Sequence, residues 1–128
     1  MSASSREGAD DAGAGGWVAL VGGGPGDPGL ITVRGMELLA RADVVVADRL
    51  APRSLLDGLA PGTEVIDASK RPGDHLVPQE GIDALLVSRA RAGQRVVRLK
   101  GGDPYVLGRG GEEARACRAA GVSVEVVP

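Results

Sequence analysis

Four short stretches of this chain carry residues able to meet a ligand, and each follows an apolar run. GGGPGDPG follows Trp17 to Val21, and Asp48-Arg49 follows Val44 to Ala47. Ser69-Lys70-Arg71-Pro72-Gly73 follows Glu64 to Ala68, and Lys100-Gly101-Gly102-Asp103 closes the run from Gln94. Gly101 and Gly102 let the backbone approach a bound molecule closely, because no Cβ stands in the way. Asp103-Pro104 adds a turn with a carboxylate aimed into the break. Gly108, Arg109, Gly110 and Gly111 lead into a helix with Glu112 and Glu113 in its first turn, where acids suit the helix dipole. Such residues suit close backbone contact with a small ligand, beside groups that can take or give a proton.

These stretches can cooperate only if the intervening elements bring them to one edge. Continuous apolar character at Val44–Ala47 predicts a parallel strand covered on both faces. Thr32 is placed to cap a helix running to about Ala42, with Val33, Met36, Leu39 and Ala40 on one face. Pro52 to Leu59 reads as a short helix ended by Pro61-Gly62. Ile82, Leu85, Leu86 and Ala90 follow helical spacing within a helix from Gln79 to Ala92, and Gly93 supplies its stop. A helix from Gly111 to Ala120 stops at Gly121, and Val122 to Val127 reads as the fifth strand. Alternating strands and helices predict an α/β fold, a mostly parallel five-stranded sheet flanked by helices. In that sheet the four stretches share the carboxyl edge, where α/β proteins bind ligands.

Composition narrows the possibilities. At 128 residues there is room for one domain. Hydrophobic residues make up 43% but aromatics only 2%, so the core must be Val, Leu, Ile and Ala. A net charge of −2 gives no global reason to expect nucleic acid or a membrane surface as partner. No apolar run approaches the roughly 20 residues of a membrane span. The single cysteine, Cys117, excludes an internal disulfide, fits a reducing, cytoplasmic setting, and reads as a small buried helix residue. Residues 1–16 read as a disordered tail and 17–128 as one α/β domain. His75 is the only histidine, and no cluster of metal-ligand type accompanies it. Arg89, Arg91 and Arg95 read as a solvated face.

The first loop admits a second interpretation. Gly24, Gly26 and Gly29 match G-x-G-x-x-G, and Asp48 follows about 20 residues on, as in a nicotinamide-dinucleotide-binding domain. Pro25 and Pro28 count against it, because they remove backbone donors from a loop that should cradle a pyrophosphate. A non-catalytic fragment that needs a partner to complete it is a third reading.

VALVGGGPGDPGLITVRG, Asp48-Arg49-Leu50, ASKRPGDHLVPQEGI and VVRLKGGDPYVLGRGGEE resemble the uroporphyrinogen-III C-methyltransferases of the tetrapyrrole methylase family. The likeness covers essentially all of residues 17–128, and the last motif is its most specific part. The resemblance implies the N-terminal domain of a two-domain α/β enzyme, a homodimer when complete, with S-adenosyl-L-methionine as methyl donor and no metal. It implies two successive methylations of uroporphyrinogen III to precorrin-2, for sirohaem and cobalamin. By motif match, Asp48 is the implied proton acceptor and Lys70 the proton donor. Pro25, Gly101, Gly102 and Asp103 would contact the donor, with Val106 behind them. Arg49, Arg71, Lys100 and Arg109 would hold the carboxylates of the substrate. The family continues into a second domain after the position of Pro128, so this chain is expected to be the first domain alone. Leu107 stands where the family usually has phenylalanine.

Overall fold

The computed structural model describes residues 15–23, 31–48, 51–68, 79–101 and 110–127. In chain order the elements are β1 (Trp17–Gly22), α1 (Val33–Arg41), β2 (Val44–Ala47), α2 (Arg53–Asp57), β3 (Glu64–Asp67), α3 (Gln79–Arg91), β4 (Arg95–Lys100), α4 (Gly110–Ala119) and β5 (Ser123–Val127). The five strands form one sheet in the order β3-β2-β4-β1-β5. Every pairing is parallel. The expected α/β class is therefore present, with no antiparallel member among the described strands.

Strand alternation divides the core into two layers. Trp17, Ala19, Val21, Val45, Ala47, Val97 and Leu99 face α1 and α2, meeting Leu38, Leu39 and Leu55. Val18, Leu20, Val44, Val46 and Val96 face α3 and α4, meeting Ile82, Leu86, Ala90, Ala114 and Cys117. The order also bears on the dinucleotide alternative. In that fold β1 lies beside β2; here β1 lies between β4 and β5, and β4 separates it from β2. The dinucleotide-binding reading is corrected accordingly.

Helix α1 starts as expected, with the Thr32 hydroxyl oxygen accepting the Gly35 N–H at 3.0 Å. Its inward face differs from the expectation. Gly35, Leu38 and Leu39 are buried, whereas Val33 is 77% and Met36 46% exposed. The cause is close approach at Gly35, where an added Cβ would lie 3.0 Å from the side chains of both Ile31 and Val21. Apolar identity at Val33 and Met36 could not reveal which stripe comes nearest the sheet. Helix α2 is shorter than the Pro52–Leu59 expectation and meets its C-cap at Gly58. Gly93 and Gly121 do end α3 and α4 with positive φ, at 93° and 78°. Gly16, assigned by sequence to the tail, donates its N–H to Ala90 O at 2.9 Å, so the folded chain reaches at least one residue further back.

Two arginines expected on a solvated face are committed to carboxylates. Arg95 meets Asp43 through its backbone N–H, Nε and Nη2 at 2.8, 3.1 and 2.9 Å. The Asp43 N–H returns a bond to Arg95 O at 2.8 Å, which fixes the start of the β2–β4 register. Hydrogen bonding from Arg95 holds the Asp43 carboxyl below the usual carboxylate range. Arg89 likewise forks onto Glu64 at 2.6 and 3.1 Å, joining α3 to β3.

Truncation separates the two sides of α1. Leu38→Ala is expected to lower unfolding stability by about 2–5 kcal/mol, because it opens a cavity in a filled core. Val33→Ala should change it by less than about 0.5 kcal/mol. Urea unfolding of both variants checks this; equal losses would refute the assigned face.

Candidate functional site

The carboxyl ends of β1, β2, β3 and β4 lie along one rim. Gly22 is level with Lys100, and Ala47 with both Leu99 and Asp67. The ladder extends past the strand ends, with Gly23 N–H donating to Lys100 O at 2.7 Å and Asp48 N–H to Leu99 O at 3.4 Å. Gly23, Asp48 and Gly101 are therefore neighbours on this edge. The chain leaves β1 toward α1 on one face and β4 toward α4 on the other. Adjacent strands followed by helices on opposite faces mark the usual ligand position in an open parallel sheet.

Asp48 borders a pocket beside β2, whose wall includes Ala51, Arg53, Leu56, Val65 and Asp67. On the opposite face of the sheet, beneath the rim, lies a cluster of charge. Among the described residues Arg98, Lys100 and Glu113 are the buried charged ones, with Glu113 fully enclosed. Arg98 and Lys100 alternate with Val97 and Leu99, so both project toward α4. Arg98 Nε donates to Glu113 Oε2 at 3.2 Å, and Lys100 Nζ donates to Glu113 Oε1 at 3.2 Å. Arg98 Nη1 donates to Val46 O at 3.4 Å and stands 3.9 Å from Asp48 Oδ2. Burial, and next the neighbouring Arg98 cation, push the Lys100 ammonium below the usual lysine range.

Of the residues singled out by sequence, Asp48, Lys100 and Gly101 fall in the described chain. Pro25, Arg49, Lys70, Arg71, Gly102, Asp103, Val106 and Arg109 lie outside the described residues. Lys100, expected to face substrate carboxylates, points instead to the Glu113 carboxylate in the interior. Arg98 was overlooked, and Glu113 was noticed only for the helix dipole. Their signal was available: two cations two residues apart on a strand covered on both faces need an internal acid. Cys117 is fully buried, and burial pushes its thiol up to about 11.

The family model of tetrapyrrole (corrin/porphyrin) methylases matches residues 18–128. The chain belongs to this family. Its curated relatives include siroheme synthase 3 of Aeromonas hydrophila, 49% identical over 120 residues, covering 94% of this chain and 26% of the relative. Siroheme synthase of Gluconacetobacter diazotrophicus is 51% identical over 114 residues, covering 89% and 24%. The chain thus spans about a quarter of the length of these relatives. A uroporphyrin-III C-methyltransferase from Thermus thermophilus superposes with a TM-score of 0.74 at 44% identity, covering 87% of this chain and 46% of that one. A structure of uroporphyrin-III C-methyltransferase from Thermus thermophilus complexed with S-adenyl homocysteine gives 0.71 at 50% identity, covering 88% and 44%. A cobalt precorrin-4 methyltransferase gives 0.72 at 38% identity, covering 87% and 44%. As in these tetrapyrrole methylases, the sheet is open and flanked by helices.

Two outcomes follow. Glu113→Gln leaves two buried cations without their shared carboxylate and is expected to cost about 3–5 kcal/mol of stability. Denaturant titration measures it, and a loss below about 1 kcal/mol would show that the cluster is solvated. Cys117 should resist a thiol reagent at pH 8 at least ~100-fold more than the unfolded chain does, since labelling requires opening of the α3–α4 layer. Equal rates would contradict its burial.

Proposed function

We propose that this chain is the donor- and substrate-binding first domain of an S-adenosyl-L-methionine-dependent uroporphyrinogen-III C-methyltransferase. In this reading two successive C-methylations yield precorrin-2, for sirohaem and cobalamin, and the complete enzyme is a homodimer. The observation that carries it is the meeting of the β1, β2 and β4 ends on one rim, with Asp48 beside the strand that runs into Gly101. The names of the relatives and the motif VVRLKGGDPYVLGRGGEE support the particular substrate.

The described residues fit a small donor at this edge. Gly101, directly after β4, has no side chain, which suits backbone contact at short range, whereas Gly23 is held against protein, an added Cβ lying 2.8 Å from Pro52 Cδ. In the proposed assignment Gly101, with Pro25, Gly102, Asp103 and Val106, holds the donor. When bound, the donor supplies a methyl group on a sulfonium sulfur, whose in-line transfer to carbon depends strongly on positioning. Asp48 then takes the proton that the substrate carbon framework must lose, and Lys70 returns one. Arg49, Arg71 and Arg109 hold substrate carboxylates, for which a guanidinium offers a bidentate match. Lys100, occupied by Glu113, has no direct substrate contact in this assignment.

Calorimetry with S-adenosylhomocysteine tests this reading, using the chain joined to a second domain. Saturable binding is expected, with Asp103→Ala weakening it about 10- to 100-fold, the range for a hydrogen bond to a charged group. Absent binding, or affinity unaltered in the variant, would overturn the assignment. The 128-residue chain alone is expected to bind weakly and to methylate nothing measurable.

A further inference from the structure

Arg98 brings the buried ion cluster within reach of Asp48 at the rim. Arg98 is 4% exposed, and its guanidinium contacts two elements at once. Nε donates to Glu113 Oε2 on α4 at 3.2 Å. Nη1 donates to Val46 O on β2 at 3.4 Å and stands 3.9 Å from Asp48 Oδ2. A guanidinium is planar and rigid, so anchoring one nitrogen fixes where the others point. Glu113 supplies that anchor and commits its second oxygen to Lys100, the last residue of β4. Neither Arg98 nor Glu113 has a part in the chemistry assigned above.

We propose that Arg98 is a positioning residue for Asp48, itself oriented by Glu113, so that one enclosed carboxylate ties the beginning of α4 to the carboxylate at the exit of β2. The proposal rests on the reading of Asp48 as proton acceptor. Helix α4 begins directly after residues 102–109, which include part of the assigned donor contact. Through Glu113 and Arg98, the position of that helix bears on the position of Asp48. A purely structural cluster would hold α4 on the sheet without influencing the Asp48 carboxyl.

Arg98→Met is the decisive variant, because it leaves Glu113 balanced one-to-one by Lys100 and creates no excess buried charge. Glu113→Gln is the second, since it keeps the guanidinium but removes its anchor. Carboxyl 13C NMR of the chain, with the Asp48 signal assigned by Asp48→Asn, reads the effect directly. Among the described residues the charged groups near Asp48 include Arg98 and Lys100 on β4, Glu113 on α4, Arg53 on α2 and Asp67 on β3. The Asp48 signal should move by more than its linewidth in both variants. An unmoved signal in folded Arg98→Met overturns the proposal, and if that variant does not fold, Glu113→Gln decides by the same criterion. In the protein carrying a second domain, Arg98→Met should lower kcat at least ~10-fold, with KM within about threefold. In an Asp48→Asn background Arg98→Met should cause no further fall, whereas multiplying losses would refute action through Asp48. Absence of methylation in the unsubstituted protein would defeat the functional reading, while the carboxyl signal still judges the positioning role.

Discussion

Strand β4 runs between β1 and β2 and is covered by helices on both faces, so a charge on its side chains must be answered inside the protein. That constraint organises the upper half of the molecule. Arg98 and Lys100 project to the same side, and Glu113 meets both from the first turns of α4. An isolated ion taken out of water costs several kcal/mol even after relaxation, and a pair repays this only with good geometry and further hydrogen bonds. Here the carboxylate uses both oxygens, and the guanidinium finds a backbone carbonyl as well. Well-packed apolar side chains would serve stability as effectively, so stability alone does not account for ions at this depth. Their position immediately beneath the carboxyl edge of the sheet is what the proposed positioning role draws on.

The surrounding layers keep that arrangement rigid. Val44, Val46, Val96, Val18 and Leu20 form a nearly aromatic-free floor for α3 and α4. Short branched side chains have few rotamers, and they let helices sit close to a parallel sheet. At the opposite edge from the rim, the exchange of bonds between Asp43 and Arg95 sets the register of β2 on β4. A slip of one residue would carry Asp48 away from Arg98 and reverse the faces of every side chain on β2. Polar contacts at the amino ends of these strands therefore govern alignment at their carboxyl ends.

The alternation of apolar runs with helical spacing made the class of fold legible in the sequence, and Gly93 and Gly121 marked helix ends because a left-handed turn favours glycine. The strand order was not legible. It depends on which helix covers which face, and the run Val44–Val46 reads the same wherever it sits in the sheet. The stripe of α1 escaped for a related reason: Gly35, the residue of closest approach, has no hydrophobicity to announce itself. The rim position of Asp48 was legible because it ends an apolar run, whereas Arg98 and Glu113 looked like ordinary surface charges in a basic strand and an acidic helix start. Only their shared depth distinguishes them. Arg89 and Arg95 do lie at the surface as expected, but their carboxylate partners, Glu64 and Asp43, come from distant parts of the chain and could not be read from the local pattern.

The order β3-β2-β4-β1-β5 has a consequence for how the chain must assemble during translation. Strand β1 emerges first, yet both of its neighbours, β4 and β5, are made last. Until then its backbone has no native edge to pair with, and WVALVG is a strongly apolar segment that water does not suit. Strands β2 and β3 can join each other earlier, but the slot between β2 and β1 is filled only when β4 arrives. Completion of this sheet thus waits on β4 and β5, and until they are made the apolar β1 lacks its native partners.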